Sequence, residues 1–153
     1  MMNAQKIMTW NVVTVKEDLL VKDLAKILSE NRISGVPVVD DAGKVIGIVT
    51  ENDLIDQTKK IHIPTVVSIF DSFLFLESTE KLEKDLKKMA ASTVKDICSR
   101  EIVSVNIDAP LDEIATLMSE KKVHTLPVMD GGKLVGVIGK SDIIRTLALN
   151  GNQ

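Results

Sequence analysis

Two seven-residue stretches carry the side chains best placed to do chemistry. Gly47-Ile48-Val49-Thr50-Glu51-Asn52-Asp53 sets a hydroxyl and a carboxylate three residues apart, and Gly136-Val137-Ile138-Gly139-Lys140-Ser141-Asp142 repeats the carboxylate with glycine where the hydroxyl stood. Each runs from a β-branched segment into what reads as a helix start. An ionised Asp is an acceptor only and can take both hydroxyls of a vicinal diol. A Thr hydroxyl or a free backbone N–H at a helix start favours an anion. The same residues can also serve the helix itself, with Thr50 and Asn52 capping it and Asp53 stabilising its first turn. The two uses can coexist.

Other chemistry finds little footing. There is no G-x-x-x-x-G-K-[ST] phosphate loop, no G-x-G-x-x-G fingerprint, and no Ser/His/Asp, Cys/His or paired-Glu arrangement, so catalysis is not expected. One cysteine, Cys98, excludes an intrachain disulfide and a Cys-rich metal centre and suits a reducing compartment; two histidines, His62 and His124, are too few for a His-based metal site. With 3% aromatic residues and a net charge of −3, a nucleic-acid platform is not expected either. No apolar run approaches the ~18 residues of a membrane span. Met1–Thr9 lacks the apolar stretch of a signal peptide, so the expected location is cytoplasmic and no membrane partner is expected.

The elements that must position these residues occur twice. IMTWNVVTVKEDLLVKDLAKILSENRISGVPVVD (residues 7–40) aligns without a gap on ICSREIVSVNIDAPLDEIATLMSEKKVHTLPVMD (residues 97–130), with ten of 34 positions identical. After a one-residue deletion, Gly43–Ile55 aligns on Gly132–Ile144 with five of 13 identical. Thirteen of the 32 mismatches only exchange Val, Ile, Leu and Met, so the core pattern persists and the chain is an internal duplication. Each copy predicts β-α-β-β-α: a β-branched run (Val12–Val15, Ile102–Val105), then a helix with Asp18 or Asp108 at the N-cap and Pro110 in the first turn. Helical spacing of Val21, Leu24, Ala25 and Leu28, and of Leu111, Ile114, Ala115 and Met118, marks its buried face. Two strands follow (Val36–Val39 and Val45–Val49; Leu126–Met129 and Leu134–Ile138) across a Gly-containing turn, and a second helix starts near Asn52 or Ser141. The fold class is therefore α/β (α+β), two units with pseudo-two-fold symmetry. One unit alone leaves its sheet half covered, and pairing covers both.

Residues 56–96 form a long connection with apolar runs Ile63–Phe70 and Phe73–Leu76, and a helix capped by Ser78 carries Leu82, Leu86, Met89 and Ala90 on one face. It reads either as an insertion packed on the core or a dimer face, or as a lid over a ligand site. His62 with Lys59 and Lys60 is a basic patch, either solvated or facing a phosphate from such a lid. Cys98 aligns with Met8 and reads as an apolar filler, while Met118 and Met129 fall on core patterns.

The duplicated β-α-β-β-α pattern, the apolar-Pro steps Val36-Pro37 and Leu126-Pro127, and the Gly-apolar-x-Thr-x-x-Asp ending resemble the CBS domain, and a tandem pair resembles a Bateman module. The resemblance divides the chain into 5–57 (first repeat), 58–94 (helical insertion) and 95–148 (second repeat). It implies a regulatory module, not an enzyme. It would need no cofactor and would bind an adenosyl effector (AMP, ADP, ATP or S-adenosylmethionine) in clefts between the repeats. It further implies a homodimer acting in trans on another protein. In the main site the resemblance gives Asp53 to ribose and Thr50 to phosphate, with Ser99, Val103, His124, Thr125 and Leu126 borrowed from the second repeat. In the second it gives Asp142 to ribose, with Lys140 or Ser141 replacing the missing hydroxyl, and Thr9, Val13, Ser34, Gly35 and Val36 borrowed from the first repeat. His124 reads either as a phosphate partner, with affinity then strengthening below about pH 7, or as a surface histidine. Gly139 departs from the pattern. It leaves open a structural or dimerisation module whose clefts are vestigial, or a close approach of a bulkier ligand.

Overall fold

A computed structural model describes residues 2–59, 66–69, 72–75 and 79–150. In chain order the elements are α1 (Ala4–Ile7), α2 (Val21–Asn31), β1 (Gly35–Val39), β2 (Val45–Thr50), α3 (Glu51–Lys59), β3 (Val66–Ile69) and β4 (Ser72–Phe75). There follow α4 (Thr79–Ala91), α5 (Val94–Ile97), β5 (Val105–Asn106), α6 (Leu111–Lys121), β6 (Thr125–Asp130), β7 (Lys133–Gly139) and α7 (Lys140–Asn150).

The two hairpins are the same object built twice. β1 pairs antiparallel with β2, and β6 with β7, each with one register shift, after Val38 and after Val128. Pro37 faces Ile48 and Pro127 faces Val137. A proline cannot donate to a ladder, yet neither costs its hairpin a bond. Ile48 exchanges both backbone bonds with Ser99, and Val137 exchanges both with Thr9, on the opposite edge.

Those outer partners come from the other repeat. Segment 3–9, which opens the first repeat in sequence, joins the second unit: Ala4 N donates to Ala109 O and Gln5 N to Ile107 O. Segment 93–99 joins the first unit in the mirror manner, with Val94 N donating to Leu19 O and Lys95 N to Glu17 O. The two cores are exchanged accordingly. Ala4, Ile7 and Met8 are buried with Val105, Ile114, Leu126, Val128 and Ile138. Val94 and Ile97 are buried with Val15, Leu24, Leu28, Val36 and Val49.

This crossing corrects the first strand of each repeat. Instead of strands over Val12–Val15 and Ile102–Val105, the chain makes one parallel bridge, Val15 to Val38, and the two-residue β5 alongside β6. Residues 10–14 and 100–104 are in transit between units, so they cannot stay in either ladder. The caps are corrected too. α2 and α6 begin after Leu20 and Pro110, neither of which makes a side-chain cap bond, and Asp18 and Asp108 are exposed. The first amide of each helix already has a backbone acceptor from elsewhere: Val21 N donates to Ser92 O and Leu111 N to Met2 O. Ala25 and Ala115 are exposed rather than on the buried face. α3 and α7 start one residue early, directly off their strands.

In the connection, β3 and β4 pair as an antiparallel hairpin, Val66 opposite Phe75, so the insertion is not wholly helical. α4 carries Leu82, Met89 and Ala90 half-buried and Leu86 exposed, while Ser78 lies outside the described residues.

The first glycine of each seven-residue stretch is explained by the exchanged segments. A Cβ on Gly47 would stand 2.8 Å from Ser99 O, and one on Gly136 would press on the Met8 side chain, with Cγ at 2.8 Å. Backbone held by two hydrogen bonds cannot yield as an unbranched side chain can. Gly47→Ala is expected to destabilise by about 1–3 kcal/mol and Gly136→Ala by less, as urea unfolding will measure. Equal costs would contradict this account of the exchange.

Candidate functional site

The crossing segments, the two hairpins and the starts of α3 and α7 enclose two clefts, of about 280 and 300 Å³. Both are near the lower end of volumes usual for small-molecule sites. Ser34, Thr125 and Lys140 line both. Thr125 is buried, and its hydroxyl lies 3.5 Å from that of Ser34 where the units meet. A Cβ on Gly35 would stand 2.8 Å from Thr125 Oγ1, so the units approach this closely because residue 35 has no side chain.

The first cleft is built on Asp53. β2 runs straight into α3, which sets Thr50 and Asp53 one turn apart. Thr50 N donates to Asp53 Oδ2 at 2.8 Å and Thr50 Oγ1 donates to the same oxygen at 3.3 Å, while Asp53 N donates to Thr50 Oγ1 at 3.4 Å. The pair therefore does cap the helix. Both bonds to the carboxylate fall on one oxygen. Asp53 Oδ1 accepts from no described residue, and Asp53 lines the cleft. Partial burial raises the Asp53 pKa above 3.8, against the two Thr50 bonds that lower it, with Asp56 adding to the rise. Ser99, Val103, His124 and Thr125 also line this cleft. Leu126 does not: at 0% exposed it belongs to the core, because successive residues of a strand face opposite sides.

A raised pKa in an acid means that its charge opposes folding. The stabilisation is present below the unfolded pKa of Asp and is lost as pH rises through the folded value. Asp53→Asn keeps an acceptor for Thr50 N and has no charge to desolvate. Its melting temperature relative to the unsubstituted protein should therefore rise as pH is raised through the acidic range from below the ordinary Asp value of 3.8, and then level off. A relative fall over that range would contradict the desolvation argument.

The second cleft is built on Asp142, which is 5% exposed. Here the carboxylate is occupied on both oxygens. Gly139 N donates to Oδ2 at 2.7 Å; Arg145 Nη2 and Thr9 Oγ1 donate to Oδ1 at 2.6 and 3.3 Å. Thr9, Val13, Ser34, Gly35, Lys140 and Ser141 line the cleft. Val36 is 1% exposed and faces the core, again by strand alternation.

Three cationic neighbours were not anticipated. Arg32 and Lys122 occupy equivalent positions as the residues ending α2 and α6, both in the left-handed conformation (φ 53° and 54°). Arg32 borders the second cleft and Lys122 the first. Arg145 is the third. The repeat alignment carried a signal for the first two, since both are basic and directly follow a helix, but a basic residue there usually reads as a solvated C-terminus. Glu51, Asn52 and Glu101 also border the first cleft, and Asn11 the second.

Some sequence candidates lie elsewhere. Lys59 is exposed and paired with Asp56 at 3.4 Å, while Lys60 and His62 fall outside the described residues. Among the described residues, none from 66 to 91 borders either cleft. Cys98 is half-buried beside Gly47, and burial raises its thiol pKa. No group of three or more metal-ligating side chains occurs among the described residues, and no described helix is long and apolar enough to cross a membrane.

Comparison with known proteins agrees with this architecture. The CBS domain family model matches residues 4–60 and 94–149. An uncharacterized protein of Methanocaldococcus jannaschii is 28% identical over 145 residues, which cover 88% of this chain and 85% of that protein. The chloroplastic CBS domain-containing protein CBSX1 of Arabidopsis thaliana is 31% identical over 149 residues, covering 87% of this chain but only 61% of that protein. The crystal structure of Arabidopsis CBSX2 in complex with AMP superposes with a TM-score of 0.71 at 25% identity, covering 99% of this chain and 98% of that one. With two matched repeats, exchanged lead-in segments and two clefts between the units, the chain belongs to the CBS domain family as a CBS-domain pair.

Proposed function

We propose that this chain is a regulatory module that binds an adenosyl ligand between its two repeats and acts in trans. The observation that carries the reading is the Asp53 carboxylate. One oxygen is held by Thr50, the other accepts from no described residue, and Asp53 lines a cleft to which both repeats contribute. A fixed acceptor-only group of this kind suits a ribose diol. The strand starts offer backbone groups to an adenine edge, and Lys122, Lys140 and His124 supply positive charge or donors for a phosphate. The complex of CBSX2 with AMP supports the ligand class. Output follows from population shift: the ligand moves the arrangement of the units only as far as it binds one arrangement better. Because segments 3–9 and 93–99 are each built into the opposite unit, a change at either cleft is felt by both.

Exposed Ile55 on α3 and Ile144, Leu147 and Leu149 on α7 leave apolar side chains for a second copy of the chain to cover. Sedimentation velocity would give a dimer on this reading and a monomer against it.

Thermal melts with AMP, ADP, ATP, S-adenosylmethionine and GTP test the function. A ligand at 100 times its dissociation constant adds about 2.7 kcal/mol, a shift of several degrees at this size. A shift with an adenosyl ligand and not with GTP supports the proposal. No shift at millimolar concentration sinks it and favours a structural module with vestigial clefts, for which Gly139 and the occupied Asp142 carboxylate already speak.

A further inference from the structure

The two clefts are related by duplication but differ in charge. The first brings three carboxylates, Glu51, Asp53 and Glu101, against two ammonium groups, Lys122 and Lys140. The second brings one carboxylate, Asp142, against Arg32, Lys140 and Arg145. The repeat alignment locates the divergence: Lys140 stands where the first repeat has Glu51, Arg145 where it has Asp56, and Asn11 where the second has Glu101. The carboxylates differ in availability as well. Asp53 Oδ1 has no described partner, whereas Asp142 Oδ1 is bound by Arg145 and Thr9.

Building on the adenosyl-binding reading above, we propose that the clefts sort ligands by charge. The Asp142 cleft takes a nucleoside polyphosphate, and the Asp53 cleft takes an adenosyl ligand carrying at most one phosphate. A polyphosphate gives the Arg145 guanidinium a better anionic partner than Asp142 and draws it away. That frees Oδ1 for a ribose hydroxyl in the same step. Arg32, whose guanidinium has no described partner and which is exposed, adds a second bidentate donor. An uncharged nucleoside has nothing to offer Arg145. It finds its acceptor ready only at Asp53, where the surrounding carboxylates repel a polyanion.

Calorimetric titration with adenosine and with ATP, on the unsubstituted chain and on Arg32→Gln, Arg145→Gln, Lys122→Gln and Asp53→Asn, tests this. Arg32→Gln leaves every described hydrogen bond intact, so it reads binding even if Arg145→Gln disturbs the fold. Expected are a tenfold or greater loss of ATP affinity in Arg32→Gln and Arg145→Gln with adenosine within twofold, and the reverse in Asp53→Asn. ATP binding should also weaken steeply with salt and adenosine binding should not. ATP affinity within twofold in Arg32→Gln but lowered in Lys122→Gln would put the polyphosphate at Asp53 and overturn the assignment. So would equal losses in Arg32→Gln and Lys122→Gln. If neither ligand binds the unsubstituted chain, the adenosyl reading itself fails and takes this one with it.

Discussion

Asp53→Ala will weaken binding of AMP by about a hundredfold or more. A hydrogen bond to a charged group contributes about 1.5–3 kcal/mol, and two ribose hydroxyls on one carboxylate reach or exceed the roughly 2.7 kcal/mol that a hundredfold represents. The substitution also removes the acceptor for Thr50 N, so it should lower the stability of the free protein by about 1 kcal/mol, a typical loss for a helix cap. Asp53→Asn separates these effects. It keeps an acceptor for Thr50 N but not the charge, so the ligand loss should persist at tenfold or more while the stability loss disappears. Calorimetry for affinity and urea unfolding for stability read the two independently. Unchanged AMP affinity in both variants would show that Asp53 serves the helix alone.

The second large effect lies far from either carboxylate in sequence. Ile7→Ala should cost about 2–5 kcal/mol, the range for truncating a fully buried aliphatic side chain. The loss should fall on the second unit. Ile7 is 2% exposed and packs with Ile114, Leu126 and Ile138, residues more than a hundred positions away, and its helix is tied to Ala109 and Ile107 through backbone bonds. Hydrogen exchange on the variant should therefore speed up in β6, β7 and α6 before β1 and β2. Faster exchange confined to the first unit would contradict the exchange of lead-in segments. Ile97→Ala is its mirror image, acting on α2, β1 and β2.

The duplication was readable because core positions change only among apolar residues and the polar punctuation recurs at fixed intervals. That predicted both hairpins and the helices before and after them, whereas the residues assigned to the clefts came only from the resemblance to the CBS domain. Local reading failed where the partner was distant. Nothing in MNAQKIMTW says that its short helix belongs to the other unit, and a bridging segment such as Val12–Val15 looks like a strand by composition alone. Asp18 and Asp108 were good caps in sequence, but Ser92 O and Met2 O reach the helix starts first. Leu126 and Val36 end runs of three consecutive residues assigned to the clefts, and strand alternation turns their side chains into the core. Arg145 could not be found because its partner's carboxylate was already assigned to a ligand, and the sequence does not show that one acidic group is satisfied internally while its duplicate is open.

That difference between Asp53 and Asp142 is the core of the functional account, and a crystal structure grown with AMP tests it most directly. The expected result is ribose density within hydrogen-bond distance of Asp53 Oδ1, with the base against the strand starts of both units. AMP bound outside both clefts, or a fully occupied Asp142 cleft beside a vacant Asp53 cleft, would contradict it.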